Sequence, residues 1–301
     1  MESILKNKDY IDQKKSEMDI FDESFKKSKS WIKSENVPAF MNHIFGTGLF
    51  LFFYAFDKKQ SKDFKILDED TIKNTIDKIY DITVNGFLNK KENIEIDFKS
   101  IEDSCVVTKD DLPQKDKIFD AITSVVAKVG VWNASLDMIA KEVCMSKSSF
   151  YFYFANKEEM LGNIVMKEIE KTNDIYIQKS DNYKNFFEKI YSNIVIEATY
   201  MSSDIRIMYF FNWLHYQKIN FKVNKKISRK AEEIFTERFN FIREAIQNNV
   251  LKSYDFGFME IASFTKMQIV KEILISTIFE RTINEENFRN IYKLFLVGIY
   301  E

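Results

Sequence analysis

The chain has 301 residues, of which 45% are hydrophobic, so it is long enough for two domains with buried cores. Its formal net charge of −2 excludes a global attraction to nucleic acid or to acidic membranes, and any such binding must come from a local patch. Only 2 Pro and 7 Gly interrupt the chain, which favours a mostly helical, all-α fold.

The beginning of the chain shows no targeting or membrane-spanning pattern. The opening "MESILKNKDYIDQKK" lacks the apolar stretch of a signal peptide. The longest apolar run, "LFLFFYAF" at 49–56, is far shorter than the roughly 20 residues that span a bilayer. Cys105 and Cys144 lie far apart and fit no metal or redox spacing. We therefore expect a cytoplasmic protein in a reducing compartment.

Residues 1–112 are predicted to form a helical N-terminal extension. The apolar segment 37–56 is followed by a predicted helix over 68–88, in which isoleucines recur at helical spacing. Residues 89–112 are charged and lack sustained periodicity, and they end in "DDLP". This composition predicts a domain boundary at 112.

Three helices in close succession are predicted after Pro113. The first has one apolar face and is stopped by Gly130. The second begins near Ser135, and the third begins near Ser146, which is a candidate N-cap. Two short helices joined by a tight turn behind a longer helix describe a helix-turn-helix unit, whose second short helix lies in the major groove of DNA.

The third of these helices contains five aromatic residues in a row, "FYFYF" at 150–154. Phe150 and Phe154 share one helical face and can be buried against the preceding helix. The other three rings can meet a duplex, because a tyrosine hydroxyl can bond a phosphate oxygen and a phenyl ring can pack on a thymine methyl. An ordinary corner of a helical domain is the alternative interpretation of this pattern.

The segment "KIFDAITSVVAKVGVWNASLDMIAKEVCMSKSSFYFYFANKEEML" at 117–161 resembles the N-terminal DNA-binding domain of the TetR family of bacterial transcriptional regulators. The residues that match in order and without a gap are Ile118, Ala121, Gly130, Ser135, Ile139, Ala140, Ser146, Tyr151, Phe154, Lys157 and Glu158. The resemblance implies a helix-turn-helix DNA-binding domain at 113–165 and a helical effector-binding and dimerisation domain at 166–301.

The resemblance also implies roles for individual side chains. Those expected at phosphates are Ser135, Tyr151, Tyr153 and Lys157, and Phe152 is expected on a base or sugar. Those expected at base edges are Lys147, Ser148 and Ser149. The chain departs from the family at Cys144, where Gly is usual and where a left-handed backbone would cost about 1 kcal/mol, so an adjusted turn is expected. Lysines and acids are equal in number over 115–159, which predicts modest affinity for DNA.

Residues 199–217, "TYMSSDIRIMYFFNWLHYQ", are rich in methionine and aromatic side chains. Such side chains line pockets for small apolar or aromatic effectors, and simple core packing is the alternative explanation. The candidate effector-binding residues are Tyr200, Arg206, Met208, Tyr209, Trp213 and His215.

The sequence carries no recognisable catalytic or metal-binding pattern. The two histidines, His43 and His215, make no zinc cluster, and neither a phosphate-binding glycine loop nor a nucleophile elbow occurs. We expect no enzymatic activity, no cofactor and no metal. The implied function is that of a ligand-responsive repressor that binds operator DNA. The alternative is a helical interaction or ligand-binding protein that has lost specific operator binding.

Two stretches of the chain resemble each other. "LFLFFYAF…IYDITVNGF" at 49–56 and 79–87 parallels "EILISTIF…IYKLFLVGI" at 272–279 and 291–299. Residues 1–112 are therefore interpreted as a truncated second copy of the ligand domain, or alternatively as an unrelated cap. The resemblance to the family implies a homodimer formed by the last two helices, and an intramolecular pseudo-dimer is the alternative.

Overall fold

A computed structural model of the chain describes residues 77–78, 80–89, 95–112, 114, 116–130, 132–153, 157–207, 209–210, 213, 225–278 and 281–299. Within these ranges, side chains are described except at 151–160, 225–228, 274 and 277–278. The predictions for 1–76, including the apolar segment 37–56, lie outside the described residues.

The described residues are mostly α-helical, as the composition predicts. The helices are α1 (Phe98–Cys105), α2 (Lys117–Val129), α3 (Leu136–Glu142), α4 (Lys147–Tyr153), α5 (Lys157–Ser180), α6 (Phe186–Ser203), α7 (Lys225–Arg238), α8 (Asn240–Gln247), α9 (Phe258–Ile278) and α10 (Glu285–Val297). In these ranges the only extended pairing is one isolated antiparallel bridge between Leu88 and Leu251. The chain therefore has the all-α fold that was expected.

None of the helices in the described part of the chain combines the length and apolar character that a membrane crossing requires.

Helix α6 is the centre of the core. Asn185 caps it by accepting a hydrogen bond from the Glu188 amide at 2.8 Å. Residues 190–198 are buried without interruption, so this helix has no solvent-facing side along that stretch. It contacts α1, α5, α8, α9 and α10, and it therefore connects helices from both ends of the described chain.

Helix α1 lies in the stretch 89–112, where the sequence shows no sustained periodicity and no individual helix was predicted. The Asp97 side chain caps it by accepting from the Ser100 amide at 3.0 Å. Its inward face comprises Ile101, Glu102 and Cys105. Because one of the buried residues is a glutamate, the apolar periodicity that would predict this helix is interrupted. The helix packs against α5 and α6, so it belongs to the core, whereas a domain boundary at 112 stays a prediction.

The predicted helix over 68–88 is described from residue 77 onward. Its residues 80–85 are helical, and the helix ends before Gly86, which has a φ of 62°. Phe87 and Leu88 then extend away from the helix, and their amides donate to the carbonyl oxygens of Phe295 and Leu296 at 2.9 and 2.8 Å. The N-terminal segment is therefore joined through its backbone to the end of α10.

Candidate DNA-binding site

Helix α2 supports the site from behind. Asp116 caps its beginning by accepting a hydrogen bond from the Ile118 amide at 2.9 Å. Gly130 ends it with a φ of 80°, which confirms the predicted stop. Phe119 and Ile122 are completely buried, so the apolar face of α2 anchors the unit in the core.

Helices α3 and α4 form the helix-turn-helix. The Ser135 hydroxyl accepts from the Met138 amide at 3.3 Å, and the Ser146 hydroxyl accepts from the Ser149 amide at 3.0 Å, so each helix begins with a serine cap. Between them, Cys144 adopts the left-handed conformation, with a φ of 58°. The turn keeps the backbone conformation that suits glycine, and the expected adjustment does not occur.

The aromatic run is anchored by its first residue. Phe150 is 1% exposed, as the sequence predicted for one of the two rings that share a face. The backbone of 151–153 is helical, which places Tyr151, Phe152 and Tyr153 on successive positions around the end of α4. The side chains of these residues, and those of Phe154 and Lys157, lie outside the described residues, so their contacts with DNA stay predictions.

The N-terminal end of α4 presents the three residues that were expected at base edges. Lys147, Ser148 and Ser149 are all exposed, and Ser135 at the start of α3 is exposed as well. The Ser146 hydroxyl lies 3.1 Å from that of Ser148 and 2.7 Å from that of Ser149. The hydroxyls of Ser146, Ser148 and Ser149 therefore lie together at the accessible start of α4, where they can donate and accept hydrogen bonds.

Acidic side chains pair with two lysines of this unit. Lys147 Nζ lies 2.6 Å from Asp137 Oδ2, so α4 is tied to α3 by an ion pair. Lys128 Nζ lies 2.7 Å from Glu142 Oε1 and ties α2 to α3. Hydrogen bonds from Lys128 and from Ser124 hold the pKa of Glu142 below its usual range. Two of the lysines that could attract DNA are therefore already paired with carboxylates in this structure.

The candidate effector residues that the structure describes differ in their burial. Tyr200 is buried on α6, where its hydroxyl donates to Glu168 Oε2 at 3.0 Å. Arg206 is exposed, whereas Trp213 is completely buried and Tyr209 is 37% exposed. Met208 and His215 lie outside the described residues. Their roles in effector binding stay predictions.

The segment that follows α6 contacts the DNA-binding unit instead. Arg206 Nη1 donates to Asp120 Oδ1 on α2 at 2.9 Å. The rings of Phe210 and Phe119 have their centroids 4.9 Å apart. The indole nitrogen of Trp213 donates to the carbonyl oxygen of Ala134, next to the cap of α3, at 3.0 Å. We call this set of contacts the junction, because it joins the segment after α6 to α2 and α3.

A cleft of about 470 Å³ opens beside the junction. Its lining residues are Lys109, Leu112, Gln114, Asp120, Ser203, Asp204 and Arg206. Most of these side chains are polar or charged, so the cleft differs from the apolar pocket that the sequence predicted.

Residues 118–164 match the family model of the bacterial regulatory proteins of the tetR family. The matched residues extend from α2 to the first part of α5 and include the whole helix-turn-helix. A search of curated proteins gives no match.

Two solved structures are similar to this chain. One is the transcriptional regulator FadR from Bacillus subtilis in complex with stearoyl-CoA, with 16% identity and a TM-score of 0.44, covering 60% of this chain and 96% of that chain. The other is the fatty acid degradation regulator FadR from Bacillus halodurans, with 17% identity and a TM-score of 0.44, covering 62% of this chain and 95% of that chain.

Proposed function

We propose that this chain, whose residues 118–164 form a DNA-binding domain of the tetR family of bacterial regulatory proteins, is a transcriptional repressor that binds operator DNA and responds to a ligand. The observation that carries the proposal is the family match over a helix-turn-helix in which both helices are capped and the start of α4 is exposed. In such a unit α4 enters the major groove and its first residues meet base edges.

The exposed residues at the start of α4 suit direct readout. Lys147 can donate to the O6 and N7 acceptors of guanine, and the hydroxyls of Ser148 and Ser149 can donate to or accept from any base. Ser135 suits a phosphate contact at the start of α3. Tyr151 and Tyr153 are proposed at phosphates, Phe152 at a base or sugar, and Lys157 at a phosphate near the start of α5.

Binding to DNA requires Lys147 to exchange its partner. In this structure its ammonium group pairs with Asp137, and both side chains are about half exposed or more, at 67% and 45%. An exposed ion pair of this kind is worth less than about 1 kcal/mol, so a phosphate or a guanine can replace the carboxylate at small cost. Asp137 itself then faces the negatively charged duplex and opposes binding.

The repulsion by Asp137 provides the test. Asp137→Asn should raise the affinity for duplex DNA by about five- to tenfold at about 0.1 M salt and steepen the salt dependence by about one unit of slope. The matched control is Asp103→Asn, which also releases a lysine, Lys99 at 2.8 Å, but on α1. Fluorescence anisotropy with fragments of the DNA around its own gene, and with scrambled fragments of equal composition, measures both quantities.

Two outcomes would contradict the proposal. Equal effects of the two asparagine variants would mean that α3 does not face DNA. Equal affinity of the unchanged protein for native and scrambled fragments would favour the alternative function, a helical interaction or ligand-binding protein without operator specificity. The observation that favours this alternative is the equal number of lysines and acids over 115–159, because it gives the helix-turn-helix no net attraction to DNA.

The effector is proposed to be small and largely apolar or aromatic, and to act through the junction. A ligand that displaces the segment after α6 also pulls on α2 and α3, because Phe210 and Trp213 contact them directly. Coupling energies of this type are typically about 1–3 kcal/mol. Trp213→Phe removes the hydrogen bond to Ala134 and retains most of the ring, so it should weaken the effect of an effector on DNA affinity.

A further inference from the structure

The end of the N-terminal segment and the end of α10 share a sequence pattern. Tyr80 and Gly86 are separated by five residues, and so are Tyr292 and Gly298. In both places a helix ends at the glycine, and the glycine is left-handed, with a φ of 62° at Gly86 and 72° at Gly298. The sequence repeat therefore coincides with a repeat of backbone conformation.

The two glycines meet each other's helices reciprocally. A Cβ atom on Gly86 would lie less than 3.0 Å from the carbonyl oxygen of Leu296, and a Cβ atom on Gly298 would lie less than 3.0 Å from that of Val84. When the two glycines are aligned, Val84 corresponds to Leu296. Each glycine thus crosses the residue that stands two positions before the other glycine, and neither crossing has room for a side chain.

The hydrogen bonds across the contact follow the same reciprocity. The Phe87 amide donates to the carbonyl oxygen of Phe295 at 2.9 Å, and the Ile299 amide donates to that of Thr83 at 3.1 Å. Under the same alignment, Phe87 corresponds to Ile299 and Thr83 corresponds to Phe295. The same pair of aligned positions is therefore in contact twice, once in each direction. Such a contact is isologous, as at the two-fold axis of a homodimer.

The contact is part of the core and is held on both sides. Phe87 is completely buried, and its ring centroid lies 5.0 Å from that of Phe295. The Lys252 amide donates to the Phe87 carbonyl oxygen at 2.7 Å, and the Tyr254 hydroxyl donates to Asp81 Oδ2 at 2.5 Å. These bonds fix the N-terminal segment against the turn before α9 as well as against α10.

We propose that residues 80–87 and 292–299 are two copies of one element, and that their contact is an intrachain equivalent of a subunit interface. The partner that this face of α10 accepts is the chain's own N-terminal segment. A second copy of the chain cannot place its α10 on the same face while residues 77–89 occupy it. The arrangement supports the intramolecular pseudo-dimer and opposes a homodimer through the end of α10.

Photo-crosslinking tests whether the contact is formed within one chain. Asn85 is exposed, and its backbone nitrogen lies beside Gly298, so a benzoylphenylalanine at position 85 reaches 297–299. Full-length chains with and without heavy isotopes are mixed, unfolded, refolded together and irradiated. Crosslinks that join only light to light and heavy to heavy peptides are expected. Mixed crosslinks at the statistical frequency would overturn the proposal, because they would show that the segment docks on another copy.

Glycine variants test the reciprocity itself. Gly86→Ala and Gly298→Ala should each speed hydrogen exchange at both the Phe87 and Ile299 amides by tenfold or more. Gly130→Ala is the control, since it has a φ of 80° but nothing within 4 Å of a Cβ atom, and it should leave both amides unchanged. If Gly86→Ala leaves the Ile299 amide protected as before, the contact is not reciprocal and the proposal fails.

Discussion

Cys144 shows how a single residue can carry strain in the turn of the DNA-binding unit. Its φ of 58° is normal for glycine but unfavourable for a side chain with a Cβ atom. The Met145 amide nevertheless donates to the Ala140 carbonyl oxygen at 2.9 Å, which closes the turn after α3. The neighbouring hydrogen bonds and caps therefore impose the conformation on Cys144.

We expect Cys144→Gly to stabilise the protein by roughly 0.5–1 kcal/mol, because relief of strain exceeds the entropy cost of glycine. Chemical denaturation measures this change. Asn249 has the same φ of 58°, but asparagine tolerates this conformation well, so Asn249→Gly should give no gain. A destabilised Cys144→Gly variant would contradict the assignment of strain to this residue.

Glu197 is a buried acid that makes the fold sensitive to low pH. Burial alone would raise the pKa of this carboxyl group, but the charges of Lys266 and Arg238 and their hydrogen bonds overcome this and hold the pKa at about 2. The folded pKa is thus lower than the unfolded value near 4.5. The stabilisation is complete above about pH 4.5 and is lost as the pH falls towards 2.

The expected loss over this window is about 3 kcal/mol of unfolding free energy. Glu197→Gln should remove this contribution to the pH dependence, and it should also lower stability at pH 7 because Arg238 loses its ionised partner. Glu233→Gln is the control, since Glu233 pairs with Arg229 on the surface. Denaturation curves at several pH values would contradict the account if the two variants kept the same acid dependence.

At the scale of elements, local signals were sufficient for the DNA-binding unit and insufficient for α1. Helices α2, α3 and α4 carry caps, stops and apolar spacing within their own residues, so the sequence predicted each of them. Helix α1 depends on a partner distant in sequence, because Glu102 is buried only where Arg289 donates to both of its oxygens at 2.8 Å. In the sequence, the contact between Gly86 and Gly298 left only three identical residues in the two stretches. That each glycine packs against the other's helix can be seen only in the three-dimensional structure.

The ion pair between Glu102 and Arg289 docks α1 on α10. Glu102 is 1% exposed, and its pKa is lowered because hydrogen bonds from Arg289 and Tyr191 outweigh the opposing effect of burial, which is the largest single influence. Arg289→Leu should lower the unfolding free energy by about 2–3 kcal/mol, since a buried carboxylate loses its partner.

Arg229→Leu is the matched control for this change. It breaks an ion pair whose side chains are 82% and 63% exposed, so it should cost less than about 1 kcal/mol. Equal unfolding midpoints and slopes for the two leucine variants would show that the pair between Glu102 and Arg289 does not hold α1 in place.

At the scale of the whole molecule, the intrachain contact bears on how DNA is read. Under the proposal of an intrachain contact, the chain does not pair through the end of α10, and it brings one copy of α4 to DNA. A single helix-turn-helix reads one half-site, and a palindromic operator would be filled by two chains that bind separately. The junction connects the helix-turn-helix to the helical core through the segment that follows α6.

The most direct test of the central claim, that this chain reads DNA sequence through α4, is selection from a pool of random duplexes. Ser149→Asp places a negative charge at the third position of α4, and Ser100→Asp makes the same change at the third position of α1, so both substitutions suit a helix N-terminus. We predict that the unchanged protein and the Ser100→Asp variant enrich one common motif, whereas Ser149→Asp enriches none. Enrichment of the same motif by Ser149→Asp, or of no motif by the unchanged protein, would contradict the account.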